Sequence, residues 1–514
     1  MKRNTPIRLL ALVLALAMLL CGCAASGKQD TASPDASGSQ KTNGSAAASE
    51  LASKYAYTAK YFNAPSAAQY VSASCMADGA LYLAASQNGE TRTYTDEASG
   101  ESYQYNETGY QVYKMDLATG ESTPIGALIT DPQEADAEGW TNSQSLFDLQ
   151  PGKDGSLWLF LNVNRSRYDL PESFDPETDQ RYNYYVDGGN VIRAVQYAAD
   201  GSIQQDLMLD PGETAKPQAG DYVSFYPQRV LLTSDGSFAA ASDRYAYLWS
   251  ADGTLTAALD NESYADLKRL NADTIGVVSY TGDSMKFQVL DTASKSWGET
   301  ITLPDRAWNP LPGNSQYDFF YNNGTALYGY KTDSGKEEKL VDWLACDVNS
   351  DSLNGVYVDD SGKVCAILRD STTSYGYYIG GMSVSTATND APGSPGASAS
   401  GWQVAVLTPT DAAAVTEKQE LTLACLYLPS TLRAQVLAFN RASDKYRIVV
   451  RDYSEYNTDE DYTAGLTKLN TEILSGNVPD MICTNQLPVA QYAAKGVLEE
   501  LWQYIDADPE LSRD

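Results

Sequence analysis

The chain has 514 residues, with 36 Lys and Arg against 67 Asp and Glu, no histidine and a formal net charge of −31. This excess of negative charge excludes a nucleic-acid partner and electrostatic binding to anionic lipid. The absence of histidine removes Ser-His-Asp triads, Cys-His dyads and histidine metal sites together.

Lys2, Arg3 and Arg8 accompany an apolar run of twelve residues, 9–20. Such a run is too short to span a bilayer and has the length of a signal-peptide core. Leu20-Cys21-Gly22-Cys23 resembles a bacterial lipobox. Residues 1–22 therefore read as a lipoprotein signal peptide, with Cys23 as the lipidated residue. A plain secretory signal is the alternative. Residues 23–54 are small and polar without apolar period, which makes a flexible tether. A lipid anchor would hold the protein at the extracytoplasmic face of a bacterial cell membrane.

Residues 55–410 show many short alternating strands and no long amphipathic helix. One turn recurs, in Ala77-Asp-Gly-Ala80, Lys153-Asp-Gly-Ser156, Ser234-Asp-Gly-Ser237 and Asp360-Ser-Gly-Lys363, with a looser copy at Asn322-Asn-Gly-Thr325. Each leads into a strand. A second motif ends a strand in Asp-x-x-x-Gly or a relative, as at Asp116 to Gly120, Tyr247 to Gly253 and Phe287 to Ala293. Uninterrupted copies recur about every 40 residues, the length of a propeller blade. The expected fold is an all-β propeller-like domain of about six blades, at 66–127, 145–210, 226–261, 264–304, 317–345 and 353–409. Seven blades follow if residues 55–63 help to close the ring. A sandwich array or a non-closing set of hairpins is the alternative.

Three insertions interrupt the repeat, at 87–109, 164–189 and 383–401. The first two are rich in tyrosine, including Tyr94, Tyr103, Tyr105, Tyr182, Tyr184 and Tyr185. Tyrosines clustered on loops suit recognition of glycan or protein; solvated edge loops are the plainer reading. Asp347-x-Asn349-x-Asp351 copies half of a calcium loop but has Val358 where the loop needs glutamate. Paired acids such as Asp131 with Glu134, or Asp359 with Asp360, are not placed across a cleft by anything in the sequence. No enzyme, metal or cofactor is therefore expected. Beyond Cys23 the cysteines are Cys75, Cys346, Cys365, Cys425 and Cys483. An odd number without CxxC spacing reads as buried small residues, with a Cys346–Cys365 disulfide as the alternative.

After a linker at 411–420, residues 421–514 change character. Leu421 to Tyr427 and Tyr446 to Arg451 read as strands, and Asp480 to Thr484 as a third. Between them lie a helix that Ser430 can cap, with Leu432, Val436 and Phe439 on one face, and a second helix. Thr458 and Asp461 have capping-box spacing, Tyr462, Leu466, Leu469 and Ile473 form the second helix's stripe, and Gly476 ends it. Pro488 opens a short helix closed by Gly496. The β-α-β-α-β-α order predicts a parallel α/β lobe. Ligands of such lobes sit at the carboxyl ends of the strands, which gives Tyr427, Ser430, Asn485 and Gln486 as candidate contacts for a neutral polar ligand such as a sugar.

The segments Ala438-Phe439-Asn440, Gly476-Asn-Val-Pro-Asp480 and Ala494-Lys-Gly-Val-Leu498, with Leu501, resemble the first lobe of family 1 extracellular solute-binding proteins. These are receptors of ABC importers, commonly for oligosaccharides. The resemblance implies a periplasmic-binding-protein-like fold whose two lobes close on ligand, ABC permease subunits as partners, and Asn485 and Gln486 as cleft positions. The sequence stops at Asp514, before the hinge and second lobe that the family has, so on this reading the lobe is incomplete and the chain is a fragment. The alternative is a cell-surface propeller scaffold without a transport role. A glycan-active enzyme ranks last.

Overall fold

The computed structural model describes residues 56–508, apart from 96–101, 132–138, 154, 176–177, 213–224, 243, 262–264, 282–283, 308, 370–376, 380–381, 385–400, 412–417, 459 and 486. The signal segment, Cys23 and the tether lie outside the described residues, as do most of the 383–401 insertion and of the linker. The chain divides into two compact units, Ala52–Glu417 and a second containing Lys418–Asp514.

The first unit is a six-bladed propeller. Residues 70–130, 141–209, 230–260, 267–303 and 311–342 each form one four-stranded antiparallel sheet in chain order. The sixth sheet takes Leu353–Val358, Val364–Arg369 and Trp402–Thr410, and its outer strand is Ala56–Asn63. That strand pairs antiparallel from Ala56 opposite Thr410 to Asn63 opposite Gln403. The amino-terminal strand thus closes the ring from within the sixth blade, and no seventh blade forms from it. Closure leaves no blade face without a neighbour.

Six apolar cores join consecutive blades around the ring. Cys75, Tyr82 and Val112 of blade 1 meet Leu149, Leu159 and Tyr197 of blade 2. Trp158, Phe160, Phe238 and Trp249 fill the next gap, Leu231, Leu248 and Val277 the third, and Phe287, Phe319 and Tyr321 the fourth. Phe320, Trp343 and Leu407 join blades 5 and 6, and Trp402, Val404, Leu83 and Met115 join blade 6 back to blade 1. Each fully buried large side chain contributes roughly 1.5–3 kcal/mol of transfer free energy, so stability is spread over all six seams.

The turns follow from the chemistry of their acids. Asp116 accepts from the amides of Ala118 (2.7 Å) and Thr119 (2.9 Å), and Asp291 from those of Ala293 and Ser294. Asp235, Asp252 and Asp359 hold their turns in the same way. Gly120 has φ +78°, and a Cβ there would lie 2.2 Å from Phe62 of the closing strand. The Asp-Gly turns join first to second strands, and the Asp-x-x-x-Gly motif joins third to fourth; both emerge on one face of the ring. Asn322-Asn-Gly-Thr325 is not a further copy. It joins the second strand of blade 5, Phe319–Asn322, to the third, Ala326–Lys331, and so lies on the opposite face.

The five described cysteines Cys75, Cys346, Cys365, Cys425 and Cys483 are free, so the Cys346–Cys365 disulfide does not form. Cys75, Cys365 and Cys425 are buried.

The second unit holds a three-stranded parallel sheet, ordered Tyr446–Asp452, Gln419–Cys425, Met481–Ile482. Helix α1 (Ser430–Ala442) joins the first two strands in sequence, and α2 (Ala464–Ser475) leads to the third; α3 (Val489–Ala494) and α4 (Trp502–Ile505) follow. Ala424, Leu426, Tyr453 and Leu469 make the core, with Leu466, Ile473 and Leu487 against it. Two expected helix faces shift. Helix α1 buries Val436, Leu437 and Asn440 and leaves Phe439 exposed. Helix α2 starts only at Ala464, so Tyr462 sits in the preceding turn, 75% exposed. The reason is the 3-10 turn Tyr453–Tyr456 and the reciprocal Thr458–Asp461 backbone bonds, which use the residues expected to cap the helix. Gly476, at φ +90°, ends α2 as expected.

Candidate functional site

In the second unit the central strand Gln419–Cys425 lies between the other two, so the order is second, first, third. The chain leaves the central strand toward α1 on one side and reaches the third strand from α2 on the other. Crevices of open parallel sheets form where the strand order reverses, beyond the carboxyl ends of the strands. Here that place lies between residues 426–430 and 483–485.

The structure brings three of the four expected contacts to that edge. Tyr427 is 59% exposed, and Ser430 and Asn485 are exposed. Gln486 lies outside the described residues. Ser430 is the first residue of α1, not its cap: Pro429 holds the cap position without a side-chain hydrogen bond. The hydroxyl of Ser430 therefore has no capping duty, because the chain enters the helix through proline.

Neighbouring groups hold this edge in place. Asp480, of the Gly-x-x-Pro-Asp turn, accepts from the Thr422 amide (2.7 Å) and hydroxyl (2.9 Å), and these bonds hold its carboxyl below the usual range. Asn440 Oδ1 accepts from the Ile448 amide (2.7 Å) and its Nδ2 donates to the Ile448 carbonyl (3.0 Å), clamping α1 to the sheet. The Tyr453 hydroxyl donates to Glu472 (2.6 Å); burial first, and then this bond, push it up to about 12. The Cys425 thiol is pushed up to about 12 by burial, so it is no nucleophile at neutral pH. Short polar side chains beside one exposed aromatic face can hydrogen-bond and stack; among the described residues of this edge no acid–base pair is assembled.

In the propeller, strand direction sorts the loops. The second-to-third-strand turns and the connections between blades share one face, opposite the Asp-Gly turns. All three insertions fall at the second-to-third-strand position, in blades 6, 1 and 2. Two of them are not loops but continuations of the blade hairpins. Ala80–Thr95 pairs with Ser102–Met115, and Leu157–Tyr168 with Tyr185–Tyr197. Tyr103, Tyr105, Tyr182 and Tyr185 are exposed, and Tyr184 packs edge-on to Phe174. The Tyr94 side chain lies outside the described set. Trp140 lies under Arg167 (4.4 Å) and Arg165 (5.4 Å) beside the blade 2 extension.

No protein-family model matches the chain, and no curated protein matches it. Among solved structures it is similar to a protein of unknown function from Dyadobacter fermentans DSM 18053, at 12% identity and TM-score 0.35 over 69% of this chain and 98% of that one. It is also similar to the Dos1 propeller, at 9% identity and TM-score 0.34 over 68% and 95%. A Trypanosoma rangeli sialidase aligns at 9% identity and TM-score 0.25 over 69% and 54%. The propeller assignment rests on the strand register and the six seams, independently of these likenesses.

One group of tyrosines escaped the sequence reading. A cleft of about 390 Å³ beside blade 5 is lined by Tyr321, Tyr328, Tyr330, Arg306, Asn323 and Glu337, among others. Tyr321 and Tyr328 stack (5.2 Å, 13°), and the Tyr321 hydroxyl donates to Glu337 (2.5 Å). The signal was Tyr328-Gly-Tyr330, two aromatics on one strand face, but it lies outside the insertions. The acids weighed as pairs accept backbone hydrogen bonds: Asp359 from the Ser361 amide of its own turn, Asp360 from the Ser315 amide and also its hydroxyl in blade 5, and Asp131 from the Gln144 amide. Glu134 lies outside the described residues. Asn349 of the calcium-like segment caps the turn Ser350–Ser352.

Proposed function

We propose that the chain is a lipid-anchored extracytoplasmic solute-binding protein of an ABC importer, with a carbohydrate as solute. The observation that carries this reading is the second-first-third order of the parallel sheet, with Tyr427, Ser430 and Asn485 at its reversal point. An exposed phenol ring and two short polar side chains suit the C–H face and hydroxyls of a neutral sugar. On this reading residues 421–514 are the N-terminal part of the first lobe of a periplasmic-binding-protein-like fold, Gln486 joins the contacts, ABC permease subunits are the partners, and Cys23 carries the lipid. The role is binding, not catalysis.

A second reading is a surface scaffold in which the propeller binds glycan or protein and the chain transports nothing. The exposed tyrosines on the extended hairpins of blades 1 and 2 favour it. Glycan-array binding by the whole chain separates the two. The importer reading expects Tyr427→Ala and Asn485→Ala to abolish oligosaccharide binding. The scaffold reading expects Tyr103→Ser and Tyr182→Ser to do so. If no glycan binds the unmodified protein, carbohydrate is wrong in both.

A further inference from the structure

Register places three charged residues at one level of the propeller channel. The first strand of each blade lines the channel, and its last paired residue fixes the level. Those pairs are Pro151 with Leu157 in blade 2, Leu232 with Phe238 in blade 3 and Arg269 with Ile275 in blade 4. Three residues back from each stand Asp148, Arg229 and Asp266. Lys268 lies one residue back in blade 4, and Tyr357 one back from Val358 in blade 6, paired with Val364.

The two carboxylates are engaged by backbone amides. Asp148 accepts from the amides of Val230 (2.8 Å, across the seam) and Leu149 (2.9 Å), and from Gln150 Nε2 (3.1 Å). Asp266 is held by the Gln228 backbone. Arg269 donates to the carbonyls of Ala272 (2.7 Å) and Leu232. Arg229 and Lys268 differ. Both are partly buried, both lie within electrostatic reach of Asp148 and of Asp266, and Arg229 is also within reach of Tyr357 on the far side of the ring. Among the described residues neither makes a hydrogen bond or an ion pair. Burial, and then the neighbouring Arg229, hold the Lys268 ammonium below its usual range.

Partly desolvated cations with open donors gain from an external anion. With Arg269, which lies within electrostatic reach of Arg229, three cations stand beside the two carboxylates Asp148 and Asp266, an excess of one positive charge that a single anion balances. The planar guanidinium matches a carboxylate in two-point geometry. We infer that Arg229 and Lys268 form a binding site inside the propeller channel for a monocarboxylate, borne by a small organic acid or by an acidic sugar. This site does not depend on the second unit or on its proposed solute.

Isothermal titration calorimetry on the whole chain tests it, with sodium acetate, sodium galacturonate, cellobiose and sodium sulfate as probes. One or both carboxylates are expected to bind with 1:1 stoichiometry, and the neutral disaccharide not at all. Acetate binding alone identifies a small-acid site; galacturonate binding alone identifies an acidic-sugar site. Arg229→Gln and Lys268→Gln should each weaken binding roughly ten- to a hundred-fold, and Lys268→Arg should retain most of it. Lys286→Gln, on the exposed part of the same blade, should change nothing. If the glutamine variants fail to fold, the Arg229 Nε resonance of the unmodified protein supplies the readout and should shift on adding the bound carboxylate. The inference is overturned if neither carboxylate binds, if cellobiose or sulfate binds as tightly, or if folded variants bind as the unmodified protein does.

Discussion

Replacing Asn440 by alanine tests what holds the candidate crevice in shape. Asn440 is 1% exposed, and its side chain makes two bonds to the backbone of Ile448, at 2.7 and 3.0 Å. Alanine removes both and leaves an amide and a carbonyl of Ile448 without that partner. Each such loss costs about 1–2 kcal/mol at a partly buried site, so α1 should lose roughly 2–4 kcal/mol of attachment. Ser430 opens that helix and Tyr427 precedes it, so the loosened helix carries the crevice edge with it. Amide hydrogen exchange measures the effect at Ile448 directly. A tenfold change corresponds to about 1.4 kcal/mol, so protection there should fall roughly 30- to 700-fold while the propeller amides stay unchanged. An unchanged Ile448 amide would show that apolar packing holds α1 and that the clamp contributes nothing.

Other perturbations act through equally local causes. Trp249→Ala empties a fully buried site in the blade 2–3 seam and orphans the Asp210 carbonyl that its indole N–H reaches at 2.8 Å. Calorimetric unfolding should register a loss of about 3–5 kcal/mol. Gly120→Ala combines φ +78° with a 2.2 Å approach to Phe62; a lowered Tm is expected, with the change in exchange concentrated on the closing strand 56–63. Asp480 has its carboxyl held below the usual carboxylate value by the Thr422 bonds. Its contribution is therefore fully present above that value and is lost as pH falls through the lower folded value. The stability difference between the natural chain and Asp480→Asn should be constant near neutrality and shrink below about pH 4; a difference independent of pH would remove the carboxylate from the clamp.

The blades were legible because each carries its own turn chemistry: an Asp side chain that caps backbone amides, followed by glycine at positive φ, is local and repeats. The closing strand was placed only as a contributor to the ring, since no local signal says which sheet 56–63 joins. The tyrosine-rich insertions read as loops because a hairpin exposed on both sides lacks an apolar face, and periodicity then has nothing to mark. In the second unit the strands and Gly476 were visible, whereas Tyr462 and Phe439 were assigned to buried faces that they do not share. Helix start and rotation there are set by Pro429, by the Thr458–Asp461 turn and by the buried Asn440, none of which apolar spacing describes. The position of Tyr427, Ser430 and Asn485 at the carboxyl edge of the sheet was legible through topology, because strand ends follow from strand order. The channel residues Asp148, Arg229 and Asp266 lie in three different repeats and share a level only once the register is known.

The most direct measurement is an amide-resolved NMR titration of the whole chain with neutral oligosaccharides. The importer reading predicts saturable shifts at Tyr427, Ser430 and Asn485, abolished by Tyr427→Ala. Binding that shifts only propeller amides, or no binding by any oligosaccharide, would contradict it.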